Sequence, residues 1–476
     1  MLTANDIEAG DEGAAAPLEP IPVEPPLPMP KERMELGKSR RSQAPRSLHA
    51  PWKPSAHRAD PLELLEQSNR TRLQELVPIR YGRMLASPFA FLRGSPIVMA
   101  HDLAATPVSG IRVQACGDAH LMNFGVYASP ERNLLFDLND FDETLPGPWE
   151  WDLKRLAASC VVAGRSHDIR ERDCEDAARA AARSYRQRIG DYSCMRLLDI
   201  WYSYVDAQAV LDVVSRRSRK ELSRDLSKAR RRTSLQALSK LTTMSNGHLR
   251  IVETRPLVSH VRDERVNEGL RRVFRGYYKS LSDEHRALVE RYRFVDAALK
   301  VVGVGSVGTR CYIMLFDASH SEDPLFLQIK EAQPSVLEPH AGPSGYRNHG
   351  RRVVAGQRLM QAASDIFLGW SSDGEHCYYV RQLRDMKGSA NLATMTGTDL
   401  VEYAELCGWV LARAHARSGD AAMIAGYLGK GEAFDDAITS FAVRYADQTE
   451  EDYQALRAAV RRGRITADTT NGAGHE

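Results

Sequence analysis

Two short segments of this 476-residue chain carry residue types at spacings that suit phosphoryl transfer. The first is Cys116-Gly117-Asp118-Ala119-His120-Leu121-Met122-Asn123, delivered by the alternating, strand-like stretch 110–115. Asp118 and Asn123 stand five residues apart. In phosphoryl transfer an Asp positions the attacking hydroxyl and accepts its proton, while an Asn on the same loop offers a neutral oxygen to Mg²⁺. A turn and a second strand-like run, Asn133–Phe136, then lead into Asp137-Leu138-Asn139-Asp140-Phe141-Asp142-Glu143. A strand ending in carboxylates suits Mg²⁺, a hard cation that commonly takes one or two of them beside phosphate and water. Acidic loops are often only solvated, and this Asp and Asn spacing recurs by chance, so the order of the segments carries the reading.

The second segment is Leu299-Lys300-Val301-Val302-Gly303-Val304-Gly305-Ser306-Val307-Gly308, a strand running into a Gly-x-Gly-x-x-Gly pattern. A dinucleotide-binding fold requires a helix to begin at the third glycine. Here Thr309–Phe316 is β-branched and aromatic, the composition of a strand. Gly303, Gly305, Ser306 and Gly308 are therefore expected to cap a β-hairpin whose backbone N–H groups cover ATP phosphates. The next strand, Leu325–Lys330, ends in a lysine at the place that resembles the phosphate-binding lysine of a kinase third strand. The helix that follows, in GRRVVAGQRLMQAAS, contains no Glu to pair with Lys330, which leaves Glu338 and Gln357 as candidate partners. His376–Leu383 reads as a further strand, in the place that resembles the kinase hinge whose backbone meets adenine.

The succession strand, Gly-Asp-x-His-x-x-Asn, strand, Asp-Phe-Asp, then Gly147–Leu153 opening a helix resembles the aminoglycoside-phosphotransferase branch of the protein-kinase-like superfamily. The resemblance puts Asp118 on the catalytic aspartate, Asn123 on the metal asparagine and Asp140 on the metal aspartate. Asp152 falls on the helix-opening aspartate that braces the catalytic loop. Cys116 departs from the usual His, and Asp137 and Asp142 compete with Asp140 for the metal. In ordinary kinases the glycine loop and lysine precede the catalytic loop. Here they follow it, and Leu400–Ala416 resembles the long helix of the second lobe without a catalytic loop after it. The expected fold is thus α+β, two-lobed and protein-kinase-like, with circularly permuted lobe order. The stretches RYGRMLASPFAFLRG, CGDAHLMNFG, FDLNDFDET, VGVGSVGTRC, QIKEA and LRDMKGS also look like the bacterial domain-of-unknown-function family 2252.

The elements that must position these residues divide the chain into five parts. Residues 1–57, proline-rich and then basic, read as a disordered arm. Residues 58–295 read as the catalytic-loop and helical lobe, and 296–390 as the β-rich nucleotide-binding lobe. Helices over 391–462 complete the larger lobe, with Leu400, Tyr403, Ala404, Cys407, Val410, Leu411 and Ala414 on one face, and 463–476 read as a disordered tail.

Composition closes off other classes. A 43% hydrophobic content supports a globular core, and no apolar run approaches the ~18–20 residues of a bilayer span. The acidic N-terminus is unlike a signal peptide, and seven scattered cysteines without a Cys-x-x-Cys pair fit neither a disulfide framework nor a zinc site. A cytoplasmic location is expected. With 64 basic against 62 acidic residues, no global field steers the chain to nucleic acid. The basic run 215–232 reads as a solvated helix, and His101, His120 and His415 match no zinc template. The function expected is ATP- and Mg²⁺-dependent phosphotransfer to a small-molecule or protein hydroxyl, with AMP transfer or a non-catalytic nucleotide-binding scaffold as alternatives.

Overall fold

The computed structural model describes residues 28–213, 216–231, 234–245, 248–318, 323–383 and 386–470. It is 53% helical and 15% strand, a mixed α+β chain. Four strands lie early in the chain: β1 (Arg112–Ala115), β2 (Phe124–Ala128), β3 (Leu134–Leu138) and β4 (Leu145–Pro148). β5 (Thr242–Ser245) and β6 (His248–Ile251) form a separate two-stranded ladder. β7 (Val258–His260), β8 (Arg293–Lys300), β9 (Cys311–Asp317), β10 (Pro324–Glu331), β11 (Gly369–Ser372) and β12 (Cys377–Gln382) build one six-stranded sheet, in the order β11-β12-β10-β9-β8-β7. All its pairings are antiparallel.

β10 is buried at every position, because both faces of the sheet are covered. Alternation sends Leu325, Leu327 and Ile329 to the face packed on Leu270, Val273 and Tyr277 of the Glu264–Ser280 helix. Phe326 packs on the opposite face with Ile313 and Leu315, and Lys330 shares its parity, so it too points away from that helix. β8 and β9 are joined by the glycine segment. Gly303 and Gly308 take φ of 60° and 88°, the left-handed region that glycine enters without a Cβ penalty, and no helix begins at Gly308. The hairpin expected from Thr309–Phe316 is present, and the requirement of a dinucleotide-binding fold is not met.

The larger core is helical. The Trp149–Arg165, Glu171–Tyr192 and Gly397–Ser418 helices pack together with Ala433–Arg461, and all seven residues of the expected face of Gly397–Ser418 are buried. β1 pairs with β4, and the short strand β13 (Gly388–Ser389) joins β2 and β3, so the chain leaving the six-stranded sheet lands beside the loop that carries Asp118.

Three expectations about organisation need correction. Residues 1–27 lie outside the described residues, but 28–57, read as part of a disordered arm, contain a helix over Pro30–Ser39 and two 3₁₀ turns. Arg41 donates to the Tyr427 and Gly426 carbonyls and Arg46 to that of Leu428, which satisfies the last turn of the Ala421–Leu428 helix. Gly37 lies so close to the Met423 carbonyl that a Cβ there has no room. The tail also begins with order, since Ile465 is buried and Asp468 donates its N–H to the Pro78 carbonyl. Finally, the sheet unit starts before residue 296, because β7 and the Glu264–Ser280 helix belong to it. Among the described residues no helix is long and apolar enough to cross a membrane, and all seven cysteines are free thiols.

Candidate active site

The loop after β1 is held from below by the first turn of the Trp149–Arg165 helix. Asp152 accepts the backbone N–H groups of Cys116 (2.6 Å) and Gly117 (2.9 Å), and His415 Nε2 stands 3.1 Å from it. The His415 ring is fixed in turn by Tyr185 at 2.8 Å, so this buried histidine is part of the brace. One helical turn on, Arg155 sends Nε and Nη2 to a single oxygen of Asp118, Oδ1, at 2.9 and 2.6 Å. Asp118 Oδ2 lies 3.8 Å from His120 Nε2. Burial raises the Asp118 carboxyl above the usual range, with Arg155 opposing the rise. His120 is pushed well below the ordinary histidine range by burial and then by the charges of Arg93 and Arg155.

Asn123 ties this loop to the one after β3. Its Nδ2 donates to the carbonyls of Asp118 (3.1 Å) and Asp140 (2.9 Å), and its Oδ1 accepts from the N–H groups of Asp140 (2.7 Å) and Asn139 (3.2 Å). Both lone pairs of the oxygen expected to meet a metal are thus engaged, and Asn123 serves as a brace in this arrangement.

The two distant chemical segments meet at Lys330. Its Nζ is 3.6 Å from Asp140 Oδ2 and in direct contact with Asp142 Oδ2. Tyr379 donates its hydroxyl to Asp142 Oδ1 at 2.8 Å. Burial works against the Lys330 charge, but Asp140 and Asp142 outweigh it and hold the ammonium well above the usual lysine range. Asp142 is likewise opposed by burial yet kept below the usual carboxylate range by Lys330 and Tyr379. Arg381, two residues along β12, bonds Gln328 Oε1 (3.0 Å) and the Asn139 carbonyl (3.1 Å). The partners considered for Lys330 lie elsewhere. Glu338 accepts the Ser335 N–H, and Gln357 donates to Gln361.

Asp137 is removed from the metal question by its surroundings. It is 1% exposed, ion-paired with Arg413 at 2.7 Å and bonded to the Ala362 N–H. Asp140, with a side chain 46% exposed, opens to the cleft. Asp140 and Asp142 are the carboxylates that could hold Mg²⁺, which commonly takes one or two of them beside water and phosphate, and in this structure the Lys330 ammonium stands against both.

The cleft has a volume of about 780 Å³ and is lined by Asp118, Asn123, Asp140, Gly303, Gly305 and Ser306. Lys330 is buried behind the carboxylates, and Gly308 packs on Arg72 away from the opening. Ser306 Oγ reaches to 3.5 Å from Asp142 Oδ2, so the hairpin overhangs the carboxylates. Glu143 borders the same space, its Oε2 accepting the Val336 N–H at 2.7 Å and its carboxyl pushed by burial to about 7. The basic run 216–231 is a helix that packs on β13, whose Gly388 and Ser389 border the cleft. Leu226 and Ala229 are buried, while Arg224, Lys228, Arg230 and Arg231 are exposed, as a solvated basic helix requires.

Sequence reasoning missed Arg155, Tyr379, Arg381 and the part played by Asp142. Two signals were available. Arg155 follows Asp152 by three residues, which places both on the helix face toward the loop. Tyr379 and Arg381 alternate on one side of a strand that was credited only with backbone contacts.

The model of the family described as an uncharacterized protein conserved in bacteria, DUF2252, matches residues 72–459. No curated protein and no solved structure matches the chain.

Proposed function

The chain belongs to the bacterial family DUF2252, and we propose that it is an ATP- and Mg²⁺-dependent phosphotransferase acting on a hydroxyl acceptor. The observation that carries this proposal is the contact of Lys330 with Asp140 and Asp142 in a cleft that also holds Asp118 and lies under the glycine hairpin. In phosphoryl transfer there is little covalent work for the protein, and rate comes from positioning and from charge placed around the transferring group. Lys330 then binds phosphate oxygens, and backbone N–H groups of 303–308 cover them. Asp140 and Asp142 would hold Mg²⁺, which would neutralise charge on the phosphates, and Asn123 fixes the loops on either side. Asp118 orients the acceptor hydroxyl and takes its proton on Oδ2, the oxygen that Arg155 leaves open.

The proposal includes kinase-like lobes in permuted order. Its support is that residues before and after the sheet unit pack into one helical core, the Gly397–Ser418 helix lying on Glu171–Tyr192 and Trp149–Arg165. The test is incubation of the full chain and Mg²⁺ with a cell extract and ATP labelled at either the γ- or the α-phosphorus. Label from the γ-position on an acceptor, lost in Asp118→Asn, is the expected result. Label from the α-position means AMP transfer, and no labelling together with no nucleotide binding removes the enzymatic reading altogether.

A further inference from the structure

On the helical unit, the segment 195–204 turns the usual pattern of a surface helix outward. In the Leu197–Tyr202 helix only Ile200 is buried, whereas Leu197, Leu198, Trp201 and Tyr202 are 68%, 65%, 44% and 71% exposed. At about 100° per residue these four side chains share one arc of about 140°, with Ile200 outside it. Met195 and Tyr204 flank the helix and are exposed as well. Folded chains seldom leave a contiguous apolar patch of this kind in water, and one that persists marks contact with a protein or a membrane.

The surroundings of the patch are basic. Arg196 is exposed within it, and the Arg417 guanidinium lies 4.1 Å from the centre of the Trp201 ring. After Tyr204 the chain runs along β3, where the Val205 carbonyl accepts the Phe136 N–H at 2.9 Å. It continues through the Ala207–Val213 helix to the Arg216–Arg231 helix, which has eight basic and two acidic residues and packs on Ala207–Val213. Arg230 Nη2 stands 3.4 Å from Gln208 Oε1, four residues past Tyr204. The turn that carries the exposed Lys228, Arg230 and Arg231 therefore adjoins the aromatic end of the patch. Against these cations stand Asp199, exposed, and Asp206, half-buried and accepting the Gln208 N–H at 2.7 Å. Leu226 and Ala229 are buried in the same core as Ile200 and Val205, so both outer faces are held from beneath.

Charge selects among the partners such a face can have. A second copy packed through a two-fold axis presents the same patch twice, which sets one basic helix beside another, and like charges facing each other oppose association. A nucleic-acid backbone takes up cations but leaves the leucine and methionine side chains in water. An anionic bilayer meets both needs, with hydrocarbon for Leu197 and Leu198, the headgroup layer for tryptophan and tyrosine, and negative lipid for lysine and arginine.

We propose that this face binds the surface of an anionic lipid bilayer, with Leu197, Leu198, Trp201 and Tyr202 entering the headgroup boundary and Lys228, Arg230 and Arg231 lying against lipid phosphates. The chain then rests on the bilayer without spanning it.

The test is co-sedimentation of the full chain with vesicles of phosphatidylcholine, with and without phosphatidylglycerol, and it needs no nucleotide. Binding is expected to the anionic vesicles, much less to pure phosphatidylcholine, and less at ~0.5 M than at ~0.05 M salt. Leu197→Ser with Leu198→Ser should weaken binding about 10-fold or more, the loss of two buried aliphatic side chains. Lys228→Glu with Arg231→Glu should weaken it about 20-fold or more, since each cation near an anionic surface contributes about fivefold. All four residues are exposed, and Tyr202→Ser stands in for the leucine pair if that variant does not fold. Binding that is absent, equal on pure phosphatidylcholine, or indifferent to either the apolar or the charge variants overturns the inference. Light scattering that finds a dimer without lipid, made monomeric by the leucine variants, assigns the face to a second copy. A short DNA duplex that binds where anionic vesicles do not assigns it to nucleic acid, and either result also overturns the proposal.

Discussion

Replacing Arg155 by methionine isolates what that arginine does for Asp118. Arg155 places two N–H groups on Asp118 Oδ1, at 2.9 and 2.6 Å, and Nη2 also bonds the Leu92 carbonyl at 2.7 Å. A hydrogen bond to a charged group contributes about 1.5–3 kcal/mol, and one pKa unit corresponds to about 1.4 kcal/mol. Losing such a bond therefore raises the Asp118 carboxyl further, beyond the rise that burial already imposes. A general base works only when ionised, so the acidic limb of the turnover profile should move to higher pH. The assay is the pH dependence of phosphoryl transfer, or of ADP release where water is the acceptor, for the wild type, Arg155→Met and Arg155→Lys. The lysine variant restores charge with fewer bonds and should fall between the other two. Breaking a buried pair also costs about 3–5 kcal/mol of stability, so rates are read on the fraction that circular dichroism shows folded. A folded methionine variant with an unmoved acidic limb refutes the reasoning, because the ionisation of Asp118 would then not govern turnover.

Asp118→Asn should lower turnover by at least about 10²-fold while nucleotide binding survives, since the residue acts on the acceptor; near wild-type turnover removes Asp118 from the mechanism. Calorimetry should find Mg²⁺-nucleotide binding weakened by Asp140→Ala and by Asp142→Ala. Asp137→Ala should instead appear in urea unfolding as a loss of about 3–5 kcal/mol, because it strands the buried Arg413 guanidinium. Glu143 ionises near 7 in the folded chain against 4.5 as its ordinary value, so the fold favours its protonated form. Its contribution is present at acid pH and is lost as pH rises through that window, by at most about 1.4 kcal/mol per pH unit. Glu143→Gln, which can still accept the Val336 N–H, should therefore match the wild type at acid pH and exceed it above neutrality; a gap that does not grow with pH removes the buried carboxyl from that role.

What could be read in the sequence was local and strongly patterned. The hairpin at 303–308 was legible because Thr309–Phe316 has a strand's composition where a dinucleotide fold needs a helix. The Gly397–Ser418 helix was legible from its apolar face. β5, β6 and β7 were missed because three or four residues are too few to display alternation inside a helix-rich stretch, and their pairing is decided by tertiary contacts. Residues 28–57 were read as disordered from proline and charge, yet Arg41 and Arg46 find their acceptors at Gly426, Tyr427 and Leu428, partners that no window of sequence contains.

The choice among Asp137, Asp140 and Asp142 shows why a site needs more than its motif. Spacing makes the three carboxylates equivalent, and only their partners separate them. Asp137 is spent on Arg413 in the helical core, Asp140 faces the cleft, and Asp142 stands where the two units meet. Lys330, Ser306 and Tyr379 of the sheet unit all converge on Asp142, while Arg381 reaches the neighbouring Asn139 carbonyl. On the other side Asn123 couples the Asp118 and Asp140 loops through both ends of one carboxamide. Asp118 and Asp140 are thus fixed relative to each other within the helical unit. Lys330 and the hairpin are fixed within the sheet unit, and Asp142 joins the pairs. If nucleotide phosphates draw Lys330 away from Asp142, the bonds from Tyr379 and Ser306 and a bound Mg²⁺ remain to hold that carboxylate. Asp142→Asn should therefore disturb nucleotide affinity and the contact between units together, whereas Asp118→Asn should leave both intact.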